Sequence, residues 1–343
     1  MAKNWQEIEI INDKGEKVIA SAPVIVSASR ATDIPAFFSK WFMNRLNEGY
    51  VKWTNPFNRT TPYYISLYKV RAIIFWTKNP KPIIPYLDEL DKRNINYYFQ
   101  FSLNDYEIEG FEPNVPALNE RIETFQQLSN QIGNEKVIWR FDPLILSDNL
   151  TVDDLLKKIE NLSEKLVKYT DKLVFSFVDI NEYPKVQANL IKDIPNLSKG
   201  SLFFKEFSKE QKIEFADGIG KLLEGWQTVN KDFRISTCAE DIDLNKYNIE
   251  HNKCIDDELL IKLFNKDAEL MDFLGHDPNA SLFETKKPNL KDKGQRKACG
   301  CIISKDIGAY NTCNHLCSYC YANSSRKMVE KKISGFDEEK DSI

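Results

Sequence analysis

AIIFWTKNP (72–80), YYFQFSLND (97–105), KVIWRFDPLI (136–145) and KLVFSFVDI (172–180) share one pattern: a β-rich apolar run that ends in polar residues. VIVSASR (24–30), YVKWTNP (50–56) and FRISTCAED (233–241) repeat it. Runs this apolar suit strands buried on both faces, as in a parallel sheet. Amphipathic stretches separate them, among them IPAFFSKWFMNRLNE, IIPYLDELDKR, LNERIETFQQLSNQIG and TVDDLLKKIENLSEKLVKYT. The last opens on Thr151, with Asp153 and Asp154 in its first turn, a helix-start pattern. Strands alternating with helices predict an α/β fold built from βαβ units. An eighth strand is expected at SLFFKEF (201–207). That number favours a TIM-type (β/α) barrel, full or partial, over an open dinucleotide-binding sheet. No G-x-G-x-x-G follows the first strand, and no P-loop is present.

The barrel is expected over 23–250. Before it, EIEII and EKVIAS flank a turn near Asp13-Lys14-Gly15, predicting an N-terminal hairpin in 1–22. After it, 251–325 holds a helix (DDELLIKLFNKDAELMDFLG), a Lys-rich loop and a cysteine-rich segment expected to pack on the barrel. Residues 326–343 read as a charged, frayed tail.

The chain has 343 residues, 42% hydrophobic and 29% charged, enough apolar material for a large core and incompatible with a disordered chain. No apolar run approaches the ~18 residues that cross a bilayer, and the N-terminus lacks a signal-peptide core, so a cytoplasmic protein without membrane contact is expected. Net charge is −4, so no global field draws the protein to nucleic acid. The Lys-rich loop 286–297 reads as a solvated charge run; a local patch for nucleic acid or an anionic substrate is the alternative. The sequence carries no signal of oligomeric state.

All seven cysteines fall in the last third: Cys238, Cys254, Cys299, Cys301, Cys313, Cys317 and Cys320. Such clustering in a large reduced protein points to metal or redox chemistry rather than disulfides. Cys313-x₃-Cys317-x₂-Cys320 puts three thiolates on one compact loop, suited to a [4Fe–4S] cluster with one open iron or to zinc. His315 lies inside that span, awkwardly placed as a fourth ligand. The other four can form a closed Cys₄ site for a second [4Fe–4S] cluster or for zinc, with Cys299 and Cys301 around Gly300 as its firmer members. The bland alternative makes Cys238 a small buried hydrophobe and Cys254 incidental.

The spacing of the terminal triad, with Tyr319 before its last cysteine, resembles the cluster loop of the radical S-adenosylmethionine superfamily. The chain as a whole, from about 24 to 325, resembles a prokaryotic domain-of-unknown-function family. SASRATDIPAFFSKWFMNRLNEGYVKWTNPFN, AIIFWTKNP, YYFQFSLNDYE, EPNVPAL, VIWRFDPLIL, STCAEDIDL, CID, QRKACGC and DIGAYNTCNHLCSYCYAN carry that likeness. Spore photoproduct lyase is a plausible distant relative. The resemblance implies a cluster at Cys313, Cys317 and Cys320 whose open iron binds S-adenosylmethionine. It also implies an electron donor such as ferredoxin or flavodoxin, and a substrate it does not name. In that superfamily the cluster loop follows the first barrel strand, whereas here it follows the whole barrel. A circular permutation would reconcile the two orders.

Active-site groups of parallel barrels sit at the C-terminal strand ends. Arg30, Lys78 and Arg140 are the cations expected to face the cavity, suited to carboxylate or phosphate. Asp142 and Glu240 are expected to receive hydroxyl donors such as a ribose, and these five are the candidate catalytic residues. A structural Arg140–Asp142 pair is the alternative. Asn55 and Gln100 are candidate cofactor contacts beside the cysteine triad. The expected function is a radical enzyme; a redox relay or sensor, or a zinc-stabilised binding module, are the alternatives.

Overall fold

The computed structural model describes residues 5–55, 58–181, 183–193, 204–277 and 288–343. The chain runs through β1 (Gln6–Ile11), β2 (Lys17–Ala22), β3 (Ile25–Ala28), α1 (Ile34–Phe37), α2 (Ser39–Glu48), β4 (Tyr50–Asn55) and β5 (Asn58–Ser66). It continues with β6 (Ala72–Thr77), α3 (Leu87–Lys92), β7 (Asn96–Ser102), α4 (Leu118–Ile132), β8 (Val137–Leu144) and β9 (Leu146–Ser147). Next come α5 (Val152–Leu166), β10 (Lys172–Phe177), α6 (Pro184–Asp193), β11 (Phe204–Lys205), α7 (Lys209–Val229) and β12 (Arg234–Thr237). It ends with β13 (Ile249–His251), α8 (Asp257–Phe264), α9 (Ala268–Leu274), β14 (Lys305–Asp306) and α10 (Arg326–Ser334).

Eight strands form one sheet in the order β13-β12-β10-β8-β7-β6-β3-β14, and every neighbouring pair is parallel. Among the described residues the outer strands β13 and β14 do not pair with each other, so what the structure shows is a large parallel sheet, and closure into a full TIM barrel is not shown. One backbone bond, Ile302 N–H to Ile255 O at 3.1 Å, links the segments beside these two strands.

Side-chain alternation explains why the runs are apolar on both faces. Val26, Ile73, Phe75, Phe99, Trp139 and Phe175 face a large core shared with the helices. Ile25, Ile74, Tyr98, Ile138 and Val174 face the other way, onto Leu260, Phe264, Leu270, Met271 and Cys254. Helices α8 and α9 thus cover the second face. Asp267, the N-cap of α9, is held by Arg71 at 2.8–3.1 Å and Asn96 at 2.6 Å, near the N-terminal strand ends. The C-terminal ends are left to the cysteine segment.

Two expected barrel strands belong elsewhere. YVKWTNP supplies β4, which joins the N-terminal hairpin in an antiparallel-rich sheet of order β1-β2-β5-β4. SLFFKEF supplies β11, which pairs antiparallel with β9. Their places in the main sheet are taken by β13 and β14. The single helix expected after 251 is two, α8 and α9, because the Asp267 side chain caps a new start. Thr151 does start a helix, through a reciprocal capping box with Asp154. The tail is not frayed: α10 forms, Trp41 Nε1 donates to Lys340 O at 2.9 Å, and Lys52 N donates to Asp341 O at 2.7 Å.

Candidate active site at the C-terminal strand ends

A cavity of about 710 Å³ opens at the C-terminal ends of the parallel strands, and all seven cysteines line it. Arg30, Lys78, Arg140 and Asp142 line it as well. Glu240 and Gln100 do not.

The triad loop has no regular secondary structure, so side chains from distant segments hold it. His315 Nε2 lies 2.8 Å from Asp33 Oδ2, which also accepts from Lys78 N at 2.7 Å. Asn114 Nδ2 donates to Asn314 O at 2.8 Å, and Asn189 Nδ2 to Cys320 O at 3.1 Å. Tyr319 hydrogen-bonds Glu112, and Tyr321 OH donates to Arg30 O at 2.8 Å. With His315 committed to Asp33, the thiols are the donors the loop offers a metal. Burial pushes Cys313, Cys317 and Cys320 upward, while Lys78 pulls Cys317 and Cys320 back down.

Under the loop lies a buried charge network. Lys78 Nζ reaches Glu112 Oε1 at 2.7 Å, and Arg121 Nη1 stands 3.6 Å from Glu112 Oε2. Burial alone would raise Glu112; Lys78 and then Arg121 outweigh it and hold the carboxyl below its ordinary range. Lys78 also lies 5.6 Å from the centre of the Tyr319 ring.

Arg140 and Asp142 are paired, Nη2 to Oδ2 at 2.7 Å. Arg140 Nη1 further donates to Gln100 Oε1 and to Cys254 Sγ, each at 3.0 Å. Asp142 takes Ser176 as a second donor. Both residues are therefore largely committed to one another and to the cysteine wall. Gln100 is buried beneath them, with Nε2 donating to Cys254 O at 2.9 Å, a support and not a cavity contact. Glu240 is also a tie: it accepts from Phe177 N at 3.0 Å and pairs with Lys212 at 3.0 Å. The side chain of Asn55 lies outside the described residues.

Arg30 differs. Its guanidinium stands 5.1 Å from the Trp76 ring centre, and Nη2 is buried with no hydrogen-bond partner. Its backbone N–H donates to Asp306 Oδ2 at 2.8 Å. Asp33, Glu112, Tyr319 and Asp306 shape the site; Tyr319 belongs to the motif that the sequence singles out, whereas Glu112 and Asp306 are not among its candidates. Glu112 opens EPNVPAL, one of the stretches that carry the family likeness, though no chemical motif marks it.

The other four cysteines group on the opposite part of the lining. Cys238 Sγ and Cys254 Sγ are 3.4 Å apart, and Cys301 Sγ accepts from Cys254 N at 3.2 Å. Among the described residues, no group of three or more His, Cys, Asp or Glu side chains stands already arranged around a metal-ion position.

Fold and site together define an α/β protein with a large parallel sheet and a cysteine-lined cavity at its C-terminal edge. The chain belongs to the family described as "Domain of unknown function (DUF1848)", whose model matches residues 25–322. No curated protein matches it. Similar solved structures include a candidate α-L-fucosidase from Bacteroides thetaiotaomicron, with 15% identity over 61% of this chain and 74% of that one, and a TM-score of 0.22. Another is Thermotoga maritima Cel5A in complex with mannotriose, with 13% identity over 60% and 75% of the two chains, and a TM-score of 0.19. Likeness at this level carries no argument about chemistry. No helix among the described residues is long and apolar enough to cross a membrane.

Proposed function

We propose that the protein is an iron–sulfur enzyme of the radical S-adenosylmethionine type. Cys313, Cys317 and Cys320 would hold a [4Fe–4S] cluster, with the open iron turned to the cavity. The observation that carries this reading is topological. In the superfamily the chain resembles, the cluster loop follows the first strand of a parallel (β/α) sheet. Here β14, late in the chain, is the outermost strand beside β3, and from it the strands follow chain order to β13. The triad loop comes directly after β14. Taken from β14, the cysteine loop would follow the first strand as the resemblance implies, and a circular permutation would reconcile the two orders.

The donor set fits the cluster. It offers three thiols on one loop, an imidazole tied to Asp33, and Lys78 close enough to offset thiolate charge. When bound, the cluster supplies the electron that cleaves S-adenosylmethionine to a 5′-deoxyadenosyl radical. This chain's own residues orient and enclose the reactants. Arg30, with its unpaired Nη2, is the group to grip a carboxylate or phosphate. Arg140 and Asp142 stiffen the wall behind it. A small redox protein such as ferredoxin or flavodoxin would deliver the electron. A pure relay or sensor has no need of a cavity of about 710 Å³, a volume ordinary for small-molecule sites.

Anaerobic reconstitution tests the reading. Wild type should bind about four irons with acid-labile sulfide at the triad, and Cys313→Ala/Cys317→Ala/Cys320→Ala should lose them. Iron content unchanged in that variant would refute the assignment.

A further inference from the structure

We propose that Cys238, Cys254, Cys299 and Cys301 form a second metal site, one that takes a single thiophilic divalent ion, zinc or ferrous iron. The proposal stands apart from the triad reading. The four residues come from three segments: just after β12, just after β13 and just before β14. They therefore bridge the two outer strands of the sheet. An ion there would staple those strands to each other.

The sulfurs are contiguous. Cys238 Sγ lies 3.4 Å from Cys254 Sγ, Cys301 Sγ lies 3.2 Å from the Cys254 backbone N, and Cys299 flanks Cys301 across Gly300. N–H groups are aimed at them. Cys301 Sγ accepts from the backbone of Cys254 at 3.2 Å and of Ile255 at 3.4 Å. Cys254 Sγ accepts from Arg140 Nη1 at 3.0 Å and Asn252 Nδ2 at 3.3 Å. A neutral thiol is a weak acceptor, so four donors converging on two sulfurs match thiolates better. Yet the Arg140 charge is already shared with Asp142. Arg30 faces Cys254 and Cys301 and offsets part of their charge; a divalent cation bound among the four sulfurs would supply the rest.

Spacing chooses an ion over a cluster. Four sulfurs at ~2.3 Å from one tetrahedral ion stand about 3.8 Å from each other, close to the contact seen here. A cubane of four irons spreads its cysteines wider. The sulfurs now run as a chain, Cys238–Cys254–Cys301–Cys299, and not around one centre, so binding must turn its two ends inward. Each thiol that ligates the ion releases its proton to solvent.

Residue-resolved alkylation of the full-length wild type, with and without zinc, tests this. With free zinc about a hundredfold above its Kd, alkylation of Cys238, Cys254, Cys299 and Cys301 should slow together about a hundredfold and recover on adding chelator. Equal rates with and without zinc at these four would overturn the proposal. The Cys313→Ala/Cys317→Ala/Cys320→Ala variant should keep about one zinc or iron per chain with an all-sulfur shell at ~2.3 Å. Sulfide with four irons in that variant would overturn the single-ion assignment in favour of a cluster. Metal lost from the triad with the four still protected would sink the triad reading alone.

Discussion

Lys78→Met removes the cation that faces both Glu112 and the triad. Glu112 is almost fully buried and would keep its charge with Arg121 at 3.6 Å, Asn104 Nδ2 at 2.8 Å and Tyr319. Breaking a buried pair from one side costs about 3–5 kcal/mol, and these remaining partners place the loss near the lower end. At about 2.1 cal/mol/K per residue, 343 residues unfold with an entropy near 0.7 kcal/mol/K, so the loss lowers Tm by about 4–7 °C. The pH dependence carries a sign. Glu112 is held below its unfolded value, so its pairing stabilises the fold at neutral pH and fades as pH falls through the folded pKa. Without Lys78, burial dominates and the carboxyl moves up, so the variant's deficit should shrink as pH drops toward about 4.5. Urea unfolding from pH 7.5 downward reads both effects. A loss under about 1 kcal/mol at pH 7.5, or a deficit that ignores pH, would refute the coupling of Lys78 to Glu112.

Two further outcomes follow from local geometry. Gly308→Ala should destabilise by about 1–3 kcal/mol and weaken metal retention at the triad, because a Cβ there would meet Ser29 Oγ at 2.0 Å and Ser29 Cβ at 2.6 Å; chemical denaturation and iron analysis check it. Lys305 is pushed down to about 8 by burial against Trp53 and Tyr63, while its unfolded value is 10.5. Between those pH values the unfolded chain binds the extra proton, so this group makes stability rise with pH, by up to about 3 kcal/mol. The stability of wild type relative to Lys305→Met should therefore climb between pH 8 and about 10.5, and a flat difference would dismiss the shift.

Much of the architecture is legible in the sequence because burial on both faces leaves a readable mark. The runs around Ile73, Tyr98, Trp139 and Val174 are apolar but for single polar positions such as Gln100, Arg140 and Ser176, and each became a strand of the main sheet. YVKWTNP carries a similar mark but pairs with β5, since composition does not say which sheet takes a strand. Strands β13 and β14 are short and polar, IEH and KD, and owe their strand state to their neighbours. Their place at the edges of the main sheet is thus a fact of long-range pairing that no local pattern records. The same division holds at the site. The cysteines are chemically conspicuous, and all seven reach one cavity. Asp33, Glu112 and Tyr319 do their work through contacts across 45 to 282 positions of chain, which leave no trace in spacing. Arg140 and Asp142, read from sequence as cavity groups or as a structural pair, are paired at 2.7 Å and both line the cavity.

The central claim is that the terminal triad holds a cluster that acts on S-adenosylmethionine within this cavity. Its most direct test is 5′-deoxyadenosine formation by the anaerobically reconstituted protein under a strong one-electron reductant. Wild type should release 5′-deoxyadenosine from S-adenosylmethionine, and Cys317→Ala should release none. A wild-type protein carrying its full complement of iron at Cys313, Cys317 and Cys320, yet leaving S-adenosylmethionine intact, would contradict the account.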